Sequence, residues 1–150
     1  MIDGFSKWAR WKDRNGLAGI EFPGVYAIGI SDTDMAGRPF NWCCEIVYVG
    51  MTNARGGVKS RLQQFENTIK GKLGHGGAHR VRFKHPDYRS LTPRLFVSIC
   101  PRECQVTSNK PDDLRIMGEV AKQEYECLAV FVEKFGHFPE FNDRKRSPKG

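Results

Sequence analysis

The clearest hydrophobic pattern lies in two runs suited to strands, one long helical stripe and a longer helix near the end of the chain. Residues 24–30 read GVYAIGI, rich in residues that favour strands and opened by Pro23-Gly24. Residues 45–49, EIVYV, form a second such run, and the stretch SDTDMAGRP between them is a turn or loop. The two runs pair most simply as an antiparallel hairpin with a connection longer than a tight turn. Tyr26 lies early in the first and Tyr48 late in the second, so the hairpin brings both to one end of the sheet. Val58, Leu62, Phe65 and Ile69 then recur at i, i+4, i+7 and i+11, which predicts a helix over 58–69 with Arg61 and Gln64 flanking its apolar stripe.

Residues 71–77, GKLGHGG, read as a flexible loop able to carry a substrate contact. LFVSIC (95–100) is a third strand, 101–111 is irregular, and a long helix over 112–135 starts where proline and acids suit an N-terminus. Gly136 fits the position beyond its end. At the start of the chain, FSKWARWK (5–12) predicts a short helix that Asn15-Gly16 terminates. Its aromatic residues Phe5, Trp8 and Trp11 either pack on the core or stack on bases. The order (α)ββαβα describes an α+β domain over 21–143, preceded by a helical extension (1–20) and followed by a basic, disordered tail (144–150). The three strands are expected to form a small, mainly antiparallel sheet.

Composition agrees with a single globular unit: 150 residues, 39% hydrophobic and 27% charged. No apolar run reaches the roughly 18 residues of a membrane span and no secretory signal opens the chain, so a cytoplasmic protein without a membrane partner is expected. Charge changes the picture more. Residues 53–94 hold ten Lys/Arg against two acids, Glu66 and Asp87, a surplus of +8 that leaves −1 for the rest of the chain. A solvated face is the ordinary meaning of such a run, but this one segment exceeds the whole net charge of +7 and points to a polyanion, most simply nucleic acid. Arg55, Lys59, Lys70, Lys72, Arg80 and Arg82 are its candidate backbone contacts. The five cysteines are odd in number and fit reduced thiols. Cys100 and Cys104 (C-x3-C) with His75 and His79 (H-x3-H) could assemble a zinc site; otherwise Cys100 ends a buried strand and the histidines line a polar loop.

The long helix also carries an acid that needs explaining. From Glu124, the offsets i+3, i+4, i+7 and i+11 give Cys127, Leu128, Phe131 and Phe135, so Glu124 heads an apolar stripe and faces the sheet. From Glu126 the stripe is weaker, which turns Glu126 to solvent. An inward acid beside a basic, tyrosine-bearing sheet edge suits a divalent metal or a buried ion pair with an arginine such as Arg61.

Five short motifs in order over residues 22–142 resemble the GIY-YIG nuclease family: GVY (24–26), YVG (48–50), RLQQF (61–65), EYECLAVF (124–131) and PEFN (139–142). The resemblance implies a compact α/β/α core and metal-dependent hydrolysis of DNA phosphodiesters. By it, Tyr26 would orient or deprotonate the attacking water and Tyr48 would help position water and phosphate. Arg61 would bind the scissile phosphate, Glu124 would hold one Mg²⁺ or Mn²⁺, and Asn142 would support the phosphate or the local geometry. An anionic diester repels hydroxide, so a cation and an arginine suit this chemistry. A tyrosine of ordinary pKa, about 10, is a poor base unless neighbours favour its phenolate.

The chain departs from the family in places. Met51 stands where a basic residue is common, and Arg55 or Lys59 would have to substitute for it. Phe65 stands where restriction-type members carry a histidine, a place that His75 or His79 could fill. The alternative is a catalytically inactive nucleic-acid-binding module, and an RNA-directed enzyme remains open. Repair, restriction, mobile-element and phage roles all use this fold. With so little chain beyond the core, specificity is expected from branched DNA, a homodimer or a protein partner.

Overall fold

Alternation along the strands divides the protein into two cores. In a computed structural model, which describes residues 4–143, β2 (Gly24–Ile30) pairs antiparallel with both β3 (Ile46–Thr52) and β4 (Leu95–Pro101). Successive side chains of a strand point to opposite faces. Tyr26 and Ile28 of β2 therefore join Leu95, Val97 and Ile99 of β4 on one face, while Val25, Ala27, Phe96 and Cys100 occupy the other. Helices α1 (Gly57–Ile69) and α2 (Gly76–Lys84) cover the first face, through Val58, Leu62, Phe65, Ile69, Ala78 and Val81. After the short α3 (Tyr88–Leu91), helix α4 (Pro111–Phe135) covers the second face, through Val120, Cys127 and Phe131. Each fully buried large side chain stabilises the fold by roughly 1.5–3 kcal/mol relative to exposure, and both cores are built from such residues. The result is a sheet between two helical layers, an α+β architecture.

The sheet has four strands, not the expected three. Residues 9–10 form β1 (Ala9–Arg10), paired antiparallel with β4, and Trp11–Gly16 follow as a 3-10 helix. The expected helix over 5–12 is absent because its two tryptophans serve opposite cores: Trp8 packs among Phe96, Met35 and α4, and Trp11 packs against Phe65 of α1. One helical stripe could not deliver both. Both tryptophans are buried, so they act as core anchors, and neither is available to stack on bases. Phe5 stacks on Phe40, with ring centroids 4.1 Å apart.

The strand order β1-β4-β2-β3 leaves β3 at an edge. β3 runs on to Thr52, so Met51 belongs to a strand and packs beside the α4-side core. α1 and α4 begin within a residue of the predicted bounds, and Gly136 ends α4 in the left-handed conformation (φ +80°), its N–H donating to the Val132 carbonyl. The tail 144–150 lies outside the described residues. Among the described residues no helix is long and apolar enough to cross a membrane.

Candidate active site

The predicted meeting of the two tyrosines is present. Tyr26 pairs with Gly50 and Ile28 with Tyr48, which sets the two rings diagonally on one face with centroids 6.2 Å apart. Two glycines make room for them. A Cβ on Gly50 would stand 2.5 Å from the Tyr26 hydroxyl oxygen, and one on Gly77 would stand 2.4 Å from the Tyr48 ring. Gly50, the third letter of YVG, is therefore fixed by close approach.

The loop before α2 supplies a residue that the pattern of the chain left undecided. His75 is the N-cap of α2; its Nδ1 accepts the Ala78 N–H at 3.1 Å. With Nδ1 an acceptor, the proton of the neutral ring sits on Nε2. That Nε2 lies 2.8 Å from the Tyr26 oxygen, so His75 donates to the phenol. Burial, followed by the charges of Arg61 and Arg80, holds the imidazole neutral, with a pKa pushed down to about 3. His75 thus takes the place beside Phe65 (ring centroids 5.1 Å), while the Tyr48 ring meets it edge-on with centroids 5.4 Å apart. His79 is partly exposed one turn further along α2.

Tyr26 itself is fully buried. Burial raises its pKa well above the usual 10, and Tyr48 raises it further; Arg61 opposes them by its charge and a hydrogen bond, and Glu124 adds a smaller upward push. Tyr26 therefore stands behind the cleft rather than in it, which alters the expected role of a group that meets water directly.

The cleft at the β3 edge has a volume of about 750 Å³ and is lined by Tyr48, Arg61, Arg80, Glu124, Tyr125 and Asn142, among others. Arg61 is held by Gln64 Oε1 at 2.5 Å and by the Gly74 carbonyl at 3.3 Å. Glu124 lies in the Val120–Cys127–Phe131 stripe and reaches the cleft, whereas Glu126 is exposed and does not line it. Arg80 was expected to be a surface contact. It is buried, donates from Nε to the Phe141 carbonyl at 2.8 Å, and lines the same cleft. Arg55, Lys59, Lys70, Lys72 and Arg82 are exposed on and around α1 and α2.

The Asn142 amide pairs with the backbone of β3. Its Oδ1 accepts the Val49 N–H and its Nδ2 donates to the Val49 carbonyl, both at 2.8 Å. The side chain thereby occupies the hydrogen-bonding edge of β3 next to Tyr48 and fixes the local geometry. The zinc arrangement is not assembled: His75 is committed to Tyr26, and buried Cys100 near the end of β4 accepts from Gln123 Nε2 at 3.1 Å. Among the described residues no group of three or more His, Cys, Asp or Glu is placed to hold a metal. No protein-family model, curated protein or solved structure matches the chain.

Proposed function

We propose that this protein is a metal-dependent DNA endonuclease of the GIY-YIG type, hydrolysing a phosphodiester in the cleft at the β3 edge. The observation that carries the reading is the convergence of Tyr48, Arg61 and Glu124, from three separate elements, on one cleft backed by the Tyr26–His75 pair. In this reading Arg61 binds the scissile phosphate and offsets the charge that builds on it, a role for which a fixed guanidinium fork is suited. Arg80 adds a second positive group on the same wall. Tyr48 faces the cleft and positions the attacking water. Tyr26 is a positioning residue: its oxygen accepts from His75 and its ring lies beside that of Tyr48. Asn142 is likewise a positioning residue.

Glu124 fits a single Mg²⁺ or Mn²⁺. Mg²⁺ takes oxygen donors, keeps several waters and is commonly held by one or two carboxylates together with substrate phosphate. Bound there, the ion would neutralise phosphate charge and stabilise the leaving oxygen. The exposed cations Arg55, Lys59, Lys70, Lys72 and Arg82 supply general attraction for the nucleic-acid backbone, which makes binding steeply salt-dependent.

The test is nicking of supercoiled plasmid with Mg²⁺, Mn²⁺ or EDTA by wild type, Glu124→Ala and Glu126→Ala. Metal-dependent nicking lost only in Glu124→Ala supports the reading. Loss only in Glu126→Ala would move the metal ligand to the exposed face. A second reading, a catalytically inactive nucleic-acid-binding module, is favoured by one observation: a phenol buried as Tyr26 is has a pKa far from that of a base at neutral pH. DNA binding without cleavage by any form selects it.

A further inference from the structure

Two aromatic rings at the cleft are unaccounted for by phosphate chemistry. Tyr125, next to Glu124 on α4, is 73% exposed, and Phe138, just past the α4 cap, is 50% exposed. Both line the same cleft as Arg61 and Arg80. The exposure of Phe138 is built in by its neighbours: Pro139 and Phe141 are buried and anchor the segment, so Phe138 is turned outward. Tyr125 is one residue round the helix from the buried stripe, which puts its ring on the cleft side instead of in the α4 core. Two exposed aromatic side chains and a pair of arginines thus line one cleft, giving it both apolar and cationic surface.

We propose that Tyr125 and Phe138 form a stacking shelf for an unpaired nucleobase adjoining the phosphate held at Arg61, so that the preferred substrate is single-stranded or forked DNA rather than continuous duplex. The inference rests on the reading of the cleft as a nucleic-acid site. The charge complementarity is on the cleft wall: arginines take the phosphate, and the rings take the base attached to it. Bases inside a continuous duplex have no face to offer, whereas an unpaired base does. Stacking is tolerant of base identity, so the shelf selects DNA structure and not sequence.

The experiment is fluorescence anisotropy in EDTA, with a labelled single strand, the blunt duplex of the same sequence and a splayed-arm fork, each titrated at several salt concentrations. Wild type should bind the single strand and the fork more tightly than the duplex. Tyr125→Ala and Phe138→Ala should each weaken single-strand and fork binding by about 5- to 100-fold, with duplex affinity and salt slope unchanged. Tyr125→Phe should keep the wild-type preference. Arg61→Ala should weaken all three substrates and lower the salt slope by about one, because a phosphate contact is lost. Tyr125→Ala and Phe138→Ala variants that bind all three as wild type does, or that lose all three equally, would overturn the shelf while leaving the nucleic-acid cleft standing. Wild type that binds none of the three, unaltered by Arg61→Ala, would overturn the cleft reading and the shelf with it. Thermal melting of each variant guards against misfolding, and exposed positions such as these should melt with wild type.

Discussion

Helix α1 separates two clusters with nearly the same inventory. On one side, Arg61, Arg80, Tyr48, Tyr125 and Glu124 line a cleft of about 750 Å³; on the other, Arg14, Trp11, Tyr88 and Glu66 border a cavity of about 560 Å³. Both bring arginine, aromatic and acidic side chains together. In the second, the acid is 5% exposed and accepts from Trp11 Nε1 at 3.3 Å, from the Tyr88 hydroxyl at 2.7 Å and, as an ion pair, from Arg14 at 3.7 Å. Arg14 also lies over the Trp11 ring, 4.5 Å from its centroid. Burial, then the hydrogen bond to Glu66, pushes the Tyr88 pKa up to about 12, so the phenol stays a donor. These contacts around Glu66 tie the amino-terminal segment to α1, with Arg14 Nε left as a buried donor without a hydrogen-bond partner among the described residues. In the cleft, Arg61 and Glu124 are partly exposed and line a space open to solvent. Closure around an acid makes a structural post, whereas similar groups lining a cleft stay within reach of solvent.

Variants can break that contrast. The largest effect is expected at Arg61→Ala, which should lower nicking by about 10³-fold, roughly 4 kcal/mol of barrier, with little change in melting temperature. Glu66→Ala should do the reverse, losing about 3–5 kcal/mol of stability in urea unfolding because it strands Arg14 and two donors in the interior, while activity per folded molecule persists. Equal losses of activity and stability in either variant would erase the distinction between post and site.

The next effect sharpens the contrast through pH. His75 is held neutral in the folded protein, with its pKa near 3 against an ordinary 6.5. The unfolded chain therefore binds the extra proton between these values, and stability falls as pH drops through 6.5 towards 3. The slope is at most about 1.4 kcal/mol per pH unit, and urea titrations of wild type between pH 7 and 4 should be steeper than those of His75→Gln by about that amount. Parallel curves would place His75 in contact with water. Gly50→Ala should cost about 1–3 kcal/mol by forcing a methyl group against the Tyr26 hydroxyl, read as a lower urea midpoint. Smallest is Tyr88→Phe, at about 1 kcal/mol for one hydrogen bond to Glu66; a second donor from Trp11 remains.

The legible parts of the fold were the periodic ones. The strands 24–30 and 95–100 and helices α1 and α4 keep a single period over a whole element, so their faces could be read directly. The start of the chain misleads because Trp8 and Trp11 are three apart, as on a helix, yet belong to opposite faces of the sheet. Helix α2 escapes the pattern because Ala78 and Val81 are its only buried apolar side chains while Phe83 is 67% exposed. At the site, Tyr26 and Tyr48 converge as hairpin geometry requires, and the stripe from Val120 to Phe131 sets Glu124 inward. The contact between His75 and Tyr26 crosses 49 residues. Its one local sign was the pair of glycines after His75, where a larger residue at Gly77 would strike Tyr48. Glu66 reads as a minor acid in a basic run, because nothing local reveals that Trp11 and Arg14 fold back onto it.

The amide of Asn142 has a consequence beyond the chemistry of the cleft. β3 ends the sheet, and an uncovered strand edge is a template on which another chain can add itself. By pairing with both the N–H and the carbonyl of Val49, this one side chain imitates a rung of a neighbouring strand. It acts as a stopper against self-association at the rim where Tyr48 sits, and a chain that lost it would be prone to polymerise through the very edge that frames its cleft.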